Sequence, residues 1–287
     1  MNPDPRPHRP RKRFGQHFLR DSGVVERIVA AIRPLPGDRL VEIGPGLGAL
    51  TRPLLDAAGE LDAVELDRDL LEPLRARCAG SGVLRIHCAD ALAFDFAALR
   101  GDGPRLRLTG NLPYNISTPL LFHLLDQAEH LRDLHFMLQL EVVERMAAGP
   151  GEDAYGRLSV MLQYRCRVES LFAVEPEAFR PPPKVRSAVA RLVPRETSPV
   201  SVRDERRFAE VVRLAFAQRR KTLRNALRDL LDAGQIEAAG VDPGARAETL
   251  DLAAFAALSD AGVDAAAGAA SSPAPTPDTR HTRSEAG

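Results

Sequence analysis

Three glycines, Gly44, Gly46 and Gly48, stand directly after the apolar run 40–43 and directly before a stretch of helical spacing. Glycine accepts backbone angles closed to other residues and lets a ligand approach the main chain, so a strand that turns through this loop into a helix opens a βαβ unit. The next hundred or so residues keep that rhythm. Short apolar runs at 40–43, 61–65, 83–88, 106–109 and 134–140 alternate with helical stretches at 49–58, 67–78 and 118–127, the pattern of a parallel sheet with crossover helices. A helix over 24–32, capped at Asp21 or Ser22 and ending before Pro34, precedes the first strand. Runs at 164–172 and 188–193, separated by the proline-rich 179–184, read as two closing strands.

The organisation around this α/β core is legible from composition. Residues 1–10 are polar and rich in Pro and Arg and read as a disordered arm, 11–195 as the main domain, and 196–202 as a Ser/Pro/Thr linker. Beyond it, 204–233 reads as helical, with Phe208, Val211, Val212, Ala215 and Phe216 on one face, giving a small helical domain over 203–260. The Ala/Ser/Pro/Thr-rich 261–287 is expected to be a disordered tail. Cys78, Cys88 and Cys166 form no CxxC pair, which argues against a disulfide framework or a zinc site and fits a reducing cytoplasm. No secretory signal and no bilayer-spanning apolar run is visible, so a soluble cytoplasmic protein without a membrane partner is expected.

Net charge is zero, with 39 basic and 39 acidic residues, yet the charges are not evenly spread. Residues 6–20 carry six basic and no acidic side chains, and residues 216–228 carry five basic and no acidic ones. Such blocks suit a phosphate backbone, although the first alone reads better as a solvated tail.

Glu42, Glu65, Asp90 and Asn111 fall at the carboxyl ends of successive expected strands, the edge at which open α/β sheets bind ligands. The glycine loop taken alone fits a dinucleotide almost as well as S-adenosylmethionine, since Gly44, Gly46 and Ala49 satisfy the dinucleotide pattern. Gly48 and Glu42 favour an amino-acid-bearing ligand whose ammonium needs an acidic neighbour, and Asp90 suits an adenine amino group. Asn111-Leu112-Pro113-Tyr114 carries a second kind of chemistry. An exocyclic aromatic amine is a poor nucleophile, because its lone pair is delocalised into the ring. The Asn111 side-chain oxygen and the Leu112 carbonyl together can take both amino protons and draw the lone pair out. Pro113 stiffens the turn without adding a donor, and Tyr114 offers a flat face to an unstacked base.

As a set, these motifs resemble the bacterial small-subunit ribosomal RNA adenine dimethyltransferases, whose loss gives kasugamycin resistance. The resemblance covers roughly residues 11–258. It rests on Arg13-Phe-Gly-Gln-His-Phe-Leu19, Glu42-Ile-Gly-Pro-Gly-Leu-Gly48, Asn111-Leu-Pro-Tyr-Asn-Ile-Ser117, Ala154-Tyr-Gly-Arg-Leu-Ser159, Phe179-Arg-Pro-Pro-Pro-Lys-Val185 and Arg219-Arg-Lys-Thr-Leu-Arg-Asn225. It implies a class I S-adenosylmethionine-dependent methyltransferase fold, Rossmann-like with a mostly parallel seven-stranded sheet, and a small all-helical C-terminal domain. The implied enzyme is a monomer that dimethylates N6 of two adjacent adenosines near the 3′ end of small-subunit (16S) rRNA, without a metal and with a role in subunit maturation. Position by position, the resemblance gives a cofactor set of His17, Leu19, Gly44, Glu65, Asp90 and Asn111. It gives a catalytic set of Asn111, Leu112, Pro113 and Tyr114, with Phe179 packing on the target base. RNA contacts are implied for Arg180, Lys184, Arg219, Arg220, Lys221 and Arg224, with Arg220 and Arg224 one turn apart on a helix. Two positions depart from the family pattern: His17 stands where Asn is usual, and Arg186 where Asp is more common. Three other readings stay open on the sequence: a large-subunit adenine methyltransferase of the macrolide-resistance type, an NAD-dependent oxidoreductase, and a non-catalytic ribosome-assembly factor.

Overall fold

A strand buried on both faces needs apolar residues on both, and the runs that begin the chain's α/β pattern meet that need. The computed structural model describes residues 16–218 and 220–269; the expected arm 1–10, Arg219 and 270–287 lie outside the described residues. The chain divides into two compact units between Val200 and Ser201, within the expected linker.

The first unit opens with a short strand, β1 (Phe18–Leu19), and a helix, α1 (Ser22–Ile32), whose first turn is capped by the Asp21 side chain accepting from the Val24 N–H. There follow β2 (Leu40–Ile43), α2 (Thr51–Ala58), β3 (Glu60–Glu65), α3 (Leu71–Cys78), β4 (Val83–Cys88), α4 (Phe96–Arg100), β5 (Leu106–Asn111), α5 (Ser117–Leu125) and β6 (Leu131–Gln139). The unit closes with α6 (Leu140–Ala147), α7 (Arg157–Arg165), β7 (Cys166–Val174), β8 (Phe179–Arg180) and β9 (Ser187–Pro194). Helices α6 and α7 are additions to the sequence expectation. Helix α7 takes Tyr164 and Arg165, so the strand expected from 164 begins at Cys166.

Seven strands form one sheet in the order β4-β3-β2-β5-β6-β9-β7. Neighbours from β4 to β6 are parallel, whereas β9 runs antiparallel to both β6 and β7. A dinucleotide-binding sheet carries its strands in parallel, in the order 3-2-1-4-5-6, with no reversed strand inserted before the last. The reversed β9 is therefore what the class I methyltransferase expectation requires. On one face Leu40, Leu61, Ala63, Met137 and Val189 pack with Ile28, Ile32, Leu54 and Leu74 from α1 to α3. On the other, Val41, Ile43, Leu108 and Phe136 pack with Leu120, Leu124 and Leu162 from α5 and α7.

Several buried polar groups interrupt the first face, Arg107 and His135 among them. Arg107 joins β5 to the end of α1: its guanidinium donates to both Asp133 oxygens (2.9 Å from Nε and from a terminal nitrogen), to Asp38 (2.7 Å) and to the Ile32 carbonyl (2.6 Å). Beside it, His135 is fully buried, and among the described residues neither ring nitrogen has a hydrogen-bond partner. Burial pushes its pKa from 6.5 down to about 4, against the pull of nearby Asp133. The unfolded chain therefore takes up this proton first. The stability that neutral His135 provides is complete above pH 6.5 and is lost as pH falls from there toward 4. The urea midpoint of wild type should fall relative to that of His135→Leu as pH drops across that interval, and parallel pH profiles would refute the assignment.

The second unit contains α8 (Glu205–Ala217), α9 (Leu223–Ala226), α10 (Ala233–Ala238) and α11 (Leu252–Ala269). Phe208, Val211, Val212 and Ala215 are buried, in agreement with their helical spacing, and α8 packs on α9 and α11. Two expectations need correction. The stretch 204–233 is not one helix. Helix α8 stops at Ala217, and Thr222 then bridges to Arg246 while the Leu223 N–H bonds the Ala245 carbonyl, which turns Leu223 and Leu227 into the core. Arg220 and Arg224 thus do not sit one turn apart on a continuous helix. The expected tail also begins too early, because α11 runs on to Ala269 through an alanine-rich stretch of high helix propensity.

Candidate functional site

The carboxyl ends of β2, β3, β4 and β5 border a cavity of about 1200 Å³. A single small-ligand site occupies roughly 300–1,000 Å³, so this space can take a cofactor and a base together. His17, Leu19, Gly44, Glu65, Asp90 and Asn111 all line it, as do Leu112, Pro113, Tyr114 and Arg180.

The glycine loop is held by its own hydrogen bonds. Gly44, Gly46 and Gly48 have φ of 67°, 58° and 79°, angles that a side chain disfavours. A Cβ on Gly46 would also lie 3.1 Å from the Phe18 ring. Their N–H groups are already used: Gly44 donates to the Val64 carbonyl (2.9 Å), Gly46 to Glu65 (3.2 Å) and Gly48 to the Pro45 carbonyl (2.9 Å). A pyrophosphate needs such N–H groups free. The loop offers none of these three, and carboxylates surround it.

Those carboxylates differ in state. Glu65 is buried and accepts the N–H groups of Asp67 (2.8 Å) and Gly46. Burial raises its pKa, and these two bonds oppose the rise. Glu42 is fully buried, and one of its oxygens accepts no hydrogen bond among the described residues. Burial pushes its carboxyl up to about 7, with the Thr51 hydroxyl opposing and Glu65 adding to the rise. Asp90 is exposed, and one of its oxygens accepts from the Leu92 N–H (2.9 Å). This donor set fits S-adenosylmethionine: paired hydroxyls beside Glu65, an adenine amino group beside Asp90 and an ammonium near the orphaned Glu42 oxygen.

At the end of β5, the Asn111 side-chain nitrogen donates to the His17 carbonyl at 2.8 Å. A carbonyl only accepts, so this bond fixes which end of the amide is nitrogen and leaves the oxygen as the other end. Among the described residues the Leu112 carbonyl accepts no hydrogen bond, whereas the Pro113 carbonyl is taken by the Ile116 N–H (3.1 Å) and the Ser117 hydroxyl (3.0 Å). Half-buried Tyr114 shares a 2.7 Å hydrogen bond with Ser187, and its ring stacks on His17 with centroids 5.6 Å apart. Burial raises its phenol pKa against that bond, so the hydroxyl stays neutral.

Residues 7–261 match the ribosomal RNA adenine dimethylase family. The chain belongs to that family. It is similar to the Ribosomal RNA small subunit methyltransferase A of Pseudomonas syringae pv. syringae (strain B728a), with 60% identity over 253 residues that span 88% of this chain and 94% of that protein. Among solved structures it resembles a dimethyladenosine transferase from Plasmodium falciparum (27% identity, TM-score 0.73, 84% of this chain and 96% of that one). It also resembles the 23S rRNA methyltransferase ErmE (26% identity, TM-score 0.67, 86% and 99%).

Within this ribosomal RNA adenine dimethylase, some expected residues stand elsewhere. Phe179 does not line the cavity. It pairs with Leu19 across β1 and β8 and is buried in the cluster beneath α1; Leu19 belongs to that cluster and also borders the cavity, as do the paired Phe18 and Arg180. In β8, strand alternation turns Phe179 away from the face that Arg180 presents to the cavity. Lys184 is exposed outside the cavity lining, Arg220, Lys221 and Arg224 lie in the second unit, and Arg219 lies outside the described residues. The expected set also omitted Leu66, an apolar side chain 49% exposed beside Glu65 in the cavity, and Gln16, which donates to Asp67 at 3.1 Å. An exposed leucine directly after a strand-end acid was the available signal for the first.

Proposed function

We propose that this enzyme transfers methyl groups from S-adenosylmethionine to N6 of two adjacent adenosines near the 3′ end of small-subunit rRNA, two to each. The observation that carries this reading is the tethered Asn111 amide: its nitrogen is spent on His17, and its oxygen is left beside an unbonded Leu112 carbonyl at the wall of the cavity. When bound, S-adenosylmethionine supplies an already activated sulfonium methyl. The protein's part is placement and polarisation.

Gly44, Glu65 and Asp90 hold the cofactor, with Leu19 of β1 and the preceding His17 beside it. The Asn111 oxygen and the Leu112 carbonyl accept the two amino hydrogens of adenine, which favours a lone pair localised on N6. As that nitrogen gains positive charge in attack, the same oxygens stabilise it. Tyr114, backed by His17 and pinned by Ser187, presents a flat surface to the unstacked base. After the first transfer the cationic N6 releases one proton to water, which leaves one proton and one lone pair, so one acceptor still orients the amine for a second. Arg180 at the cavity wall and the exposed Lys184 four residues on suit the phosphate backbone.

Glu42 joins this set through the cofactor's ammonium. A carboxyl titrating near 7 attracts that cation more strongly as pH rises. Wild-type affinity for S-adenosylhomocysteine should therefore tighten between roughly pH 6 and 8, and Glu42→Gln should flatten the profile. The folded chain holds this proton after the unfolded chain has released its own, so Glu42 erodes stability as pH rises from 4.5 to about 7. Glu42→Gln should consequently raise Tm more at pH 8 than at pH 5, as calorimetry can check.

The second reading is large-subunit methylation, because ErmE shares the fold. The 60% identity to a small-subunit methyltransferase, against 26% to ErmE, favours the first. Purified small and large subunits incubated with labelled S-adenosylmethionine decide between them; label confined to the large subunit would overturn the proposal.

A further inference from the structure

An amide side chain can turn over and exchange its oxygen for its nitrogen, which reverses what it offers a ligand. In Asn111 the exchange is blocked by one atom, the His17 main-chain oxygen at 2.8 Å, which admits only the NH₂ end. That oxygen belongs to a strap, residues 16–19, tethered along its whole length. Gln16 donates to Asp67 at 3.1 Å, just beyond the cofactor carboxylate Glu65. The His17 ring stacks on Tyr114, and its Nδ1 lies 2.8 Å from the Pro181 carbonyl; Nδ1 therefore carries the hydrogen. Phe18 lies against Gly46 of the glycine loop and pairs with Arg180, while Leu19 pairs with Phe179. One short segment thus touches the cofactor loop, the strand-end acid region, the catalytic turn and the proline-rich loop.

We propose that strap 16–19 sets the Asn111 amide for catalysis, with the His17 carbonyl and the Gln16–Asp67 hydrogen bond as its positioning groups. With the strap seated, Asn111 presents an acceptor to the adenine amine. With it displaced, the amide turns over and presents a donor to a group that is itself a donor. The strap also borders the cofactor cavity, so the geometry that closes over the cofactor is the geometry that readies the amine-binding oxygen. This inference rests on the N6-methylation reading of the site.

Gln16→Glu places a carboxylate against Asp67 and should lift the strap. At saturating cofactor, kcat for small-subunit methylation is expected to fall about tenfold, in line with a shifted amide population. The KM for subunits should stay near wild type, and calorimetry should show weaker S-adenosylhomocysteine binding. Gln16→Ala, which removes the tether without adding charge, should lie between. The double substitution Gln16→Glu with Asp67→Asn restores a donor–acceptor pair and should recover both kcat and cofactor affinity. A merely structural tether would lower Tm and raise the KM for subunits along with the loss of kcat, so a kcat loss at unchanged Tm and subunit KM is the readout that it does not predict. The inference fails if Gln16→Glu keeps the wild-type kcat at saturating cofactor, or if the folded double variant does not recover. A wild-type chain that labels neither subunit defeats the N6-methylation reading itself, a result distinct from an unchanged kcat in the variants.

Discussion

Asn111→Ala should lower kcat for small-subunit methylation by about 10²–10³, the range seen when one preorganised polar group facing a developing charge is removed. The change deletes the acceptor that holds one amino hydrogen and leaves the Leu112 carbonyl to act alone. It also frees the His17 carbonyl, its hydrogen-bond partner at 2.8 Å. Because the amine-binding oxygen acts most strongly once N6 becomes cationic, the loss belongs in kcat rather than in the KM for subunits. Single-turnover methylation at saturating cofactor measures it, with S-adenosylhomocysteine calorimetry showing that the cavity still binds. Asn111→Asp makes a sharper comparison. It keeps oxygen acceptors but sets a carboxylate against the His17 carbonyl, so it should fall between alanine and wild type. An alanine variant within threefold of wild type would remove Asn111 from the chemistry.

The largest effect on stability is expected at Arg107, far from the chemistry. Its guanidinium satisfies both oxygens of Asp133, one of Asp38 and the Ile32 carbonyl at the end of α1, all in a nearly water-free layer. Truncation to alanine leaves Asp133 buried and charged without its partner, which costs about 3–5 kcal/mol. For Asp38, burial alone would raise the pKa, but the Leu35 N–H together with Arg107 and Arg132 outweighs it and keeps the carboxyl ionised. Arg107→Lys should recover little, because an ammonium cannot span both Asp133 oxygens and a carbonyl. Urea unfolding of the three proteins tests this. A loss below roughly 1 kcal/mol in the alanine variant would show that the network adds little beyond packing.

The sheet was readable because its central strands are buried on both faces: a run such as Leu-Val-Glu-Ile at 40–43 has few other uses. The cavity-lining carboxylates were readable because each ends such a strand. Phe179 was misplaced for a reason of the same kind. Its direction depends on pairing with Leu19 in a two-residue strand, too short to leave a periodic trace in the sequence. The basic block 216–228 lies in a stretch that reads as helical on the spacing of its apolar residues, yet burial of Leu223 and Leu227 and the bridge from Thr222 to Arg246 bend it, and both effects are tertiary. The role of His17 was hidden in its main chain. Sequence motifs report side chains, whereas the atom that orients Asn111 is a carbonyl that any residue at 17 would supply.

The reversed strand β9 also bears on how the chain is made. Among the described residues strand β7 pairs in the sheet with β9 alone, and the outer neighbour of β6 is β9 itself. During synthesis both must wait for residues 187–194 to leave the ribosome. The stretch from the end of β6 to the start of β9 is roughly 50 residues, or several seconds at about 5–20 residues per second. Throughout that interval the nascent sheet exposes an open apolar edge, so slowed translation or chaperone depletion should expose this protein to aggregation through β6.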